Sequence, residues 1–420
     1  MNRTFLPTFV LFGVCLVAGL LSPLDCVAQW PRFLGPDANG ISNETGLIQQ
    51  LSPETVKTLW RVPGGVGMSA VALSGDRAIT LWNTDTEQVL AALDAQSGKT
   101  LWTTPVSAAY ENGQGDGPRA TPTIDDDRVY AFTSDGILAA VELKSGDKVW
   151  STDTMALLET KPAEYGLASS PLVTDKHVVV HVGANQGSVA AFHKSDGKLA
   201  WTAGSGAAGY SSPTLLTVAG EKQIVSFVGA GVLGIEPATG KTLWSYDFPT
   251  PYDCNTASPI EVYGNVFISA GENHGCVMLS ISKNGVAYRA NEKWASVDTK
   301  SVLRNEWQTS IVLNGYLYGF DNVGSAGPTT HLTCVNAESG EVAWQKTRFG
   351  KGNLVLADGN LWITTMSGEL VLVKATADSY QELGRIKLLG KTRQSLSISD
   401  SRGYLRDDAQ VVCIDLKASK

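Results

Sequence analysis

From residue 68 onward the chain is written in short apolar runs, roughly four to eight residues each, cut by clusters of Gly, Asp and Ser. Residues 120–150 show the grammar: ATPTI, the turn Asp125-Asp126-Asp127, RVYAFT, the turn Ser134-Asp135-Gly136, ILAAVEL, the pair Ser145-Gly146, then DKVW. The runs are rich in β-branched and aromatic residues. No stretch after residue 28 repeats its apolar positions every 3.6 residues, so the pattern predicts strands joined by tight turns and no helix.

One phrase recurs in register. It reads LDAQSGKTLW at 93–102, VELKSGDKVW at 141–150, FHKSDGKLAW at 192–201, IEPATGKTLW at 235–244 and VNAESGEVAW at 335–344. Looser copies end at Trp60 and Trp294, and a degraded one, ATADSYQELGR, has Gly384 in the Trp position. The terminal residues Trp60, Trp102, Trp150, Trp201, Trp244, Trp294 and Trp344 are spaced by 42, 48, 51, 43, 50 and 50 residues. In five copies Gly stands four positions before the Trp (Gly98, Gly146, Gly197, Gly240, Gly340), where it supplies the positive φ of a tight turn. A large ring at one fixed place per repeat suits docking between successive units.

Four strands per repeat of 40–50 residues is the signature of a propeller blade. Units begin near Met68, Ala120, Ser169, Ser211, Ala257, Thr309, Asn353 and Ser395, which makes eight. The last runs out after three strands, and the orphan TLW at 58–60 supplies the fourth, closing the ring and removing exposed sheet edges. The expectation is an all-β, eight-bladed β-propeller of four-stranded antiparallel blades over 56–417, preceded by an N-terminal arm at 29–55.

The first 28 residues read differently. Arg3 precedes an apolar stretch whose uninterrupted part, Thr8–Leu21, is 14 residues, short of the roughly 20 that span a bilayer. Cys26-Val27-Ala28 places small residues where a secretory signal is cut, so residues 1–28 are expected to be a signal peptide and the protein to be exported to the periplasm or cell envelope. Asp25 makes Cys26 a poor lipid-attachment site. A net charge of −8 argues against nucleic-acid binding, which needs a basic face.

Of the six cysteines, Cys254, Cys276, Cys334 and Cys413 follow the signal. Four cysteines allow three pairings, and Cys254–Cys276 is the pair to test as a disulfide. Cys334 and Cys413 lie in apolar runs that suit buried thiols. No Cys-x-x-Cys occurs, which excludes a zinc ribbon, a c-type haem site and a thioredoxin-like motif.

The phrase Ala/Leu-x-Asp-x-x-Ser/Thr-Gly-Lys-x-x-Trp resembles the repeat of the pyrroloquinoline-quinone-like (PQQ-like) propeller family, shared by quinoprotein alcohol dehydrogenases and the BamB-like envelope propellers. The opening WPRFLGPDANGIS is similar to the arm of exported members. The resemblance implies the fold over about 360 residues. It also implies two functions: a binding or assembly scaffold in the envelope, or a quinone- and calcium-dependent oxidoreductase acting on alcohols or sugars. The adjacent cysteines of the quinoprotein branch are missing, so the scaffold is the primary reading and no catalytic residue is assigned.

In a propeller the segment before each innermost strand lines one mouth of the central channel. Those segments supply Arg119, Glu164, Tyr165, Tyr210, Asn255, Arg304, Trp307, Lys351 and Arg393, a cup of cations and aromatic walls suited to an anionic ligand. A protein segment from an envelope partner is the other occupant such a scaffold could hold. A quinone site would add calcium held by Glu164 and Asn255 with Asp253 as base. No metal site is assigned: His177 and His181 fall on one strand face (HVVVH) where they could share a metal, with an ordinary strand face the favoured reading, and Asp125-Asp126-Asp127 lacks the spacing of a calcium loop. Asn43-Glu44-Thr45 is a glycosylation sequon, which carries little meaning in a bacterial host.

Overall fold

A computed structural model describes residues 1, 29–271, 273–324 and 329–418; the leader expected over residues 2–28 lies outside them. Eight four-stranded antiparallel sheets form the described chain. Seven are contiguous in sequence, with innermost strands Ala72–Ser74, Thr123–Asp125, Leu172–Val173, Thr214–Val218, Ile260–Val262, Ile311–Leu313 and Gly352–Ala357. These are blades 1 to 7. Blade 8 joins Ser397–Ser399, Arg402–Arg406 and Gln410–Asp415 to the N-terminal strand Lys57–Pro63, with Trp60 opposite Cys413. The closure expected from the orphan TLW is therefore formed. Among the described residues the only α-helical turn is Thr154–Leu157, and no helix is long and apolar enough to cross a membrane.

The recurring phrase builds one joint several times over. In each of the five good copies the Gly N–H returns to the carbonyl four residues earlier, as from Gly98 to Asp94 and from Gly197 to His193. All five glycines have φ between +69° and +81°. A Cβ there would lie 2.5–3.0 Å from the Trp ring of the preceding blade: Trp60 over Gly98, Trp102 over Gly146, Trp150 over Gly197, Trp201 over Gly240, Trp294 over Gly340. Gly is thus required twice, by backbone conformation and by the ring that lands on it. In four of the five the indole N–H completes the joint, donating to Ala95 O from Trp60, to Leu143 O from Trp102, to Lys194 O from Trp150 and to Ala337 O from Trp294, while that of Trp201 has no partner among the described residues.

Where the phrase degrades, the joint changes. Blade 5 ends in a long hairpin, Gly275–Asn284 and Ala287–Val297, so its turn lies out of reach of Trp244; that indole donates instead to Gln223 of its own blade. Gly384 replaces Trp because the arm passes there: Leu51 bridges to Gly384, and a Cβ would meet the Leu51 carbonyl at 1.9 Å. The arm crosses one face of the ring. Trp30 pairs with Leu73 of blade 1, Pro31 accepts from Ile124 of blade 2, Ile41 bridges Leu356 of blade 7, and Leu47 bridges Lys417.

Around the channel a second series of bonds fixes one blade on the next. The hydroxyl two residues before the start of an inner strand accepts a backbone N–H from the previous blade: Ala70 to Thr121, Thr121 to Ser170, Ser170 to Ser212, Ser212 to Ser258 and Ser258 to Thr309, at 2.9–3.2 Å. Each hydroxyl spends a lone pair on an amide that would otherwise be buried unpaired.

Candidate functional site

The loops leading into the inner strands converge on a cup of about 280 Å³ at one mouth of the channel. Its floor is the arm. Phe33 lines the cup and also the narrow space below it, together with Arg32, Leu34, Ser170, Ser212 and Ser258, so the channel is blind from this side.

Tyr165 and Tyr210 form one wall, stacked with centroids 5.7 Å apart at 28°. Asn255 sets that wall from behind: its carbonyl accepts the Tyr210 N–H, and its buried amide bonds Val228 O and Thr250 Oγ1. Trp307 forms another wall between two cations, with Arg393 Cζ 4.7 Å and Lys351 Nζ 4.6 Å from its centroid. Lys351 also pairs with Glu306 at 2.5 Å. Arg119 lies 4.6 Å from the Tyr110 centroid and is oriented by the carbonyls of Tyr165, Gly117 and Gly115.

The electrostatics favour an anion. Burial, opposed by Tyr110 and Asp116 and aided by the charge of Arg393, brings the Arg119 guanidinium down to about 10. Burial also lowers Arg393, with Asp408 and Glu306 opposing. Two cations lining one half-enclosed cavity gain from a ligand of opposite charge. Glu306 is the one carboxylate lining the cup among the described residues, and it is already paired.

Of the nine residues expected at the mouth, Arg119, Tyr165, Tyr210, Trp307 and Arg393 line the cup, and Lys351 stands behind Trp307. Three are elsewhere. Arg304 is buried in a two-pronged ion pair with Asp321 (2.6 and 2.8 Å), Asn255 is the buried brace just described, and Glu164 is exposed, offering its carbonyl to Asn112. Their neighbours Tyr165, Cys254, Thr256, Glu306 and Trp307 do line the cup, so within each segment it is the individual side chain that points elsewhere, a detail the loop sequences do not carry. Phe33, Gln114, Cys254 and the hydroxyls of Thr121, Ser170, Ser212 and Ser395 line the cup as well. The recurring Thr-Pro and Ser-Pro at 121–122, 170–171 and 212–213 was the signal for three of these hydroxyls.

The calcium set expected from the resemblance does not fit. Glu164 and Asp253 are exposed outside the cup, and the Asn255 amide is consumed by backbone and Thr250. Among the described residues no group of three His, Cys, Asp or Glu could hold a metal ion. The Cys254–Cys276 pairing also falls: none of the four cysteines is in a disulfide, and Cys276 is wholly buried in blade 5.

His177 and His181 are buried on the second strand of blade 3, and both ring nitrogens of His181 lack a hydrogen-bond partner among the described residues. Burial lowers His181 to about 3, slightly opposed by the Ser211 backbone. A histidine held neutral in the fold favours folding above its ordinary value of 6.5, and that stability is lost as pH falls from 6.5 towards 3. Chemical denaturation at stepped pH should show a loss of about 1.4 kcal/mol per unit in that window for one proton. The slope should diminish by that proton's share in His181→Leu; an unchanged slope would place the acid sensitivity elsewhere.

A family model described as outer membrane protein assembly factor BamB matches residues 44–164 and 156–323. No curated protein matches the chain. Among solved structures, the quinohemoprotein alcohol dehydrogenase of Comamonas testosteroni is similar with a TM-score of 0.69 at 14% identity, over 94% of this chain and 81% of that one. BamB from Moraxella catarrhalis is similar at 0.62 and 14%, over 86% and 99%. A europium-containing methanol dehydrogenase is similar at 0.67 and 11%, over 93% and 98%. At these identities the likeness is one of fold.

Proposed function

The chain belongs to the BamB-like, PQQ-like repeat propeller family, and from that premise we propose that it is a binding scaffold of the cell envelope whose cup holds a small, planar, anionic ligand. One observation carries the reading: two guanidiniums, Arg119 and Arg393, and a stacked tyrosine pair line a blind cavity floored by the protein's own arm. Arginine beside aromatic faces suits a flat ring bearing carboxylates. Rigid blades and a plugged channel preorganise the cup, which lowers the cost of ordering on binding. Similarity to an outer membrane protein assembly factor supports a place in the envelope and a protein partner for the same scaffold.

A quinone-dependent oxidoreductase is the second reading, favoured by the suitability of the same cup for a carboxylated quinone and opposed by the dispersed calcium donors. One titration separates the two. Pyrroloquinoline quinone is added with and without Ca²⁺, binding is followed by quenching of tryptophan fluorescence, and dye reduction is measured with primary alcohols and sugars. The expected result is micromolar binding that does not depend on Ca²⁺, at least about tenfold weaker in Arg393→Ala, with no turnover. No binding at micromolar quinone would remove the cup as a ligand site, and turnover would overturn the scaffold.

A further inference from the structure

The hydroxyls that bolt the blades together have a second capacity. Thr121, Ser170 and Ser212 each accept one backbone N–H, and among the described residues their hydroxyls donate no hydrogen bond. A hydroxyl has one O–H donor besides its acceptor sites, so each keeps a proton to give. All three line the cup above Phe33. The series stops at blade 7, where the equivalent position is Asn353, whose amide is spent on the Arg393 carbonyl. Beyond that break Ser395 also lines the cup; it is buried at 4% exposure, and its hydroxyl has no hydrogen-bond partner among the described residues. Buried polar groups without partners are uncommon, and this one belongs to a residue that lines the same cup as Thr121, Ser170 and Ser212.

We propose that Thr121, Ser170, Ser212 and Ser395 form a donor ring at the floor of the cup that binds the carboxylate of a flat aromatic acid, inserted carboxylate first along the channel axis. The inference rests on the ligand-binding reading of the same cup and adds the ligand's head group and orientation. The division of labour follows from which donors are spent. Arg119 already gives its Nε, Nη1 and Nη2 to three carbonyls and acts mainly through its field. The floor hydroxyls have no other partner to lose. A carboxylate accepts on both oxygens and makes charge-assisted bonds with a ring of donors, whereas an amide offers one neutral acceptor oxygen. The tyrosine pair and Trp307 then cover the ring that follows the carboxylate.

The test uses 2-naphthoate and 2-naphthamide, which differ only in the head group, titrated by calorimetry into the whole protein. The wild type should prefer the carboxylate by about tenfold or more, the scale of a charge-assisted hydrogen bond. Ser212→Ala should lose most of that preference by weakening naphthoate while leaving naphthamide within about twofold. Ser212→Thr, which keeps the hydroxyl and copies the residue found at Thr121, should restore the preference. Thermal melting of both variants accounts for the amide of Ser170, which loses its acceptor in the alanine variant. Equal affinity for the two probes, or a preference unchanged in Ser212→Ala, overturns the donor ring and leaves the cup intact. Failure of both probes to bind the wild type removes the cup reading and the ring with it.

Discussion

Trp150→Ala should lower the free energy of unfolding by about 3–5 kcal/mol, the range for deleting a large buried aromatic side chain. The residue is 9% exposed, its ring covers Gly197 of the next blade, and its N–H donates to Lys194 O at 2.9 Å. Removing it opens a cavity between blades 2 and 3 and leaves that carbonyl without a partner. The hole cannot collapse easily, because Gly197 is held at positive φ by its own turn. Trp102 makes the same joint between blades 1 and 2 but is only half-buried, so Trp102→Ala should cost distinctly less. Urea titration of the two variants beside the wild type measures both, provided the m-value is unchanged. A loss below 1 kcal/mol at Trp150 would mean that the indoles fill space without holding the blades.

That contrast shows which parts of the fold were legible. The joint is local: a turn glycine, a strand of fixed length and an indole at its end, repeated with the same spacing, so its copies align by eye. Blade number and ring closure follow from counting them, and the orphan TLW at 58–60 is conspicuous because a three-stranded last blade leaves an edge. The cup was legible as a list of loop segments, since loops before inner strands must reach one mouth. Which side chains turn inward was not. Arg304 finds Asp321 seventeen residues away, and Asn255 is consumed by a turn built around Tyr252 and Asp253, both at positive φ. Long-range pairings of this kind leave no periodic trace. The hydroxyl ring lies between these cases: its Thr-Pro and Ser-Pro signature repeats, but its meaning depends on contacts between neighbouring blades.

Gly384→Trp, which restores the repeat where it is degraded, should destabilise the protein. A consensus residue in a repeat is ordinarily stabilising. Here the space belongs to the arm. Gly384 has φ +129°, and a Cβ would lie 1.9 Å from the carbonyl of Leu51, whose N–H donates to Leu383 O. Neither backbone can move without breaking the bridge, so the substitution should cost roughly 3 kcal/mol or more through strain and overpacking. The consequence extends along the arm. Leu47, Ile48 and Leu51 are buried beside blades 7 and 8, and the same segment leads back to Phe33 at the floor of the cup. Limited proteolysis should cut the variant between residues 42 and 56 faster than the wild type, and ligand affinity should fall because the channel loses its floor. Gly384→Ala should shift both readouts the same way by less. A Trp variant as stable and as protease-resistant as the wild type would show that the indole and the arm can share the groove, and the absence of Trp from this one repeat would then lack a physical cause.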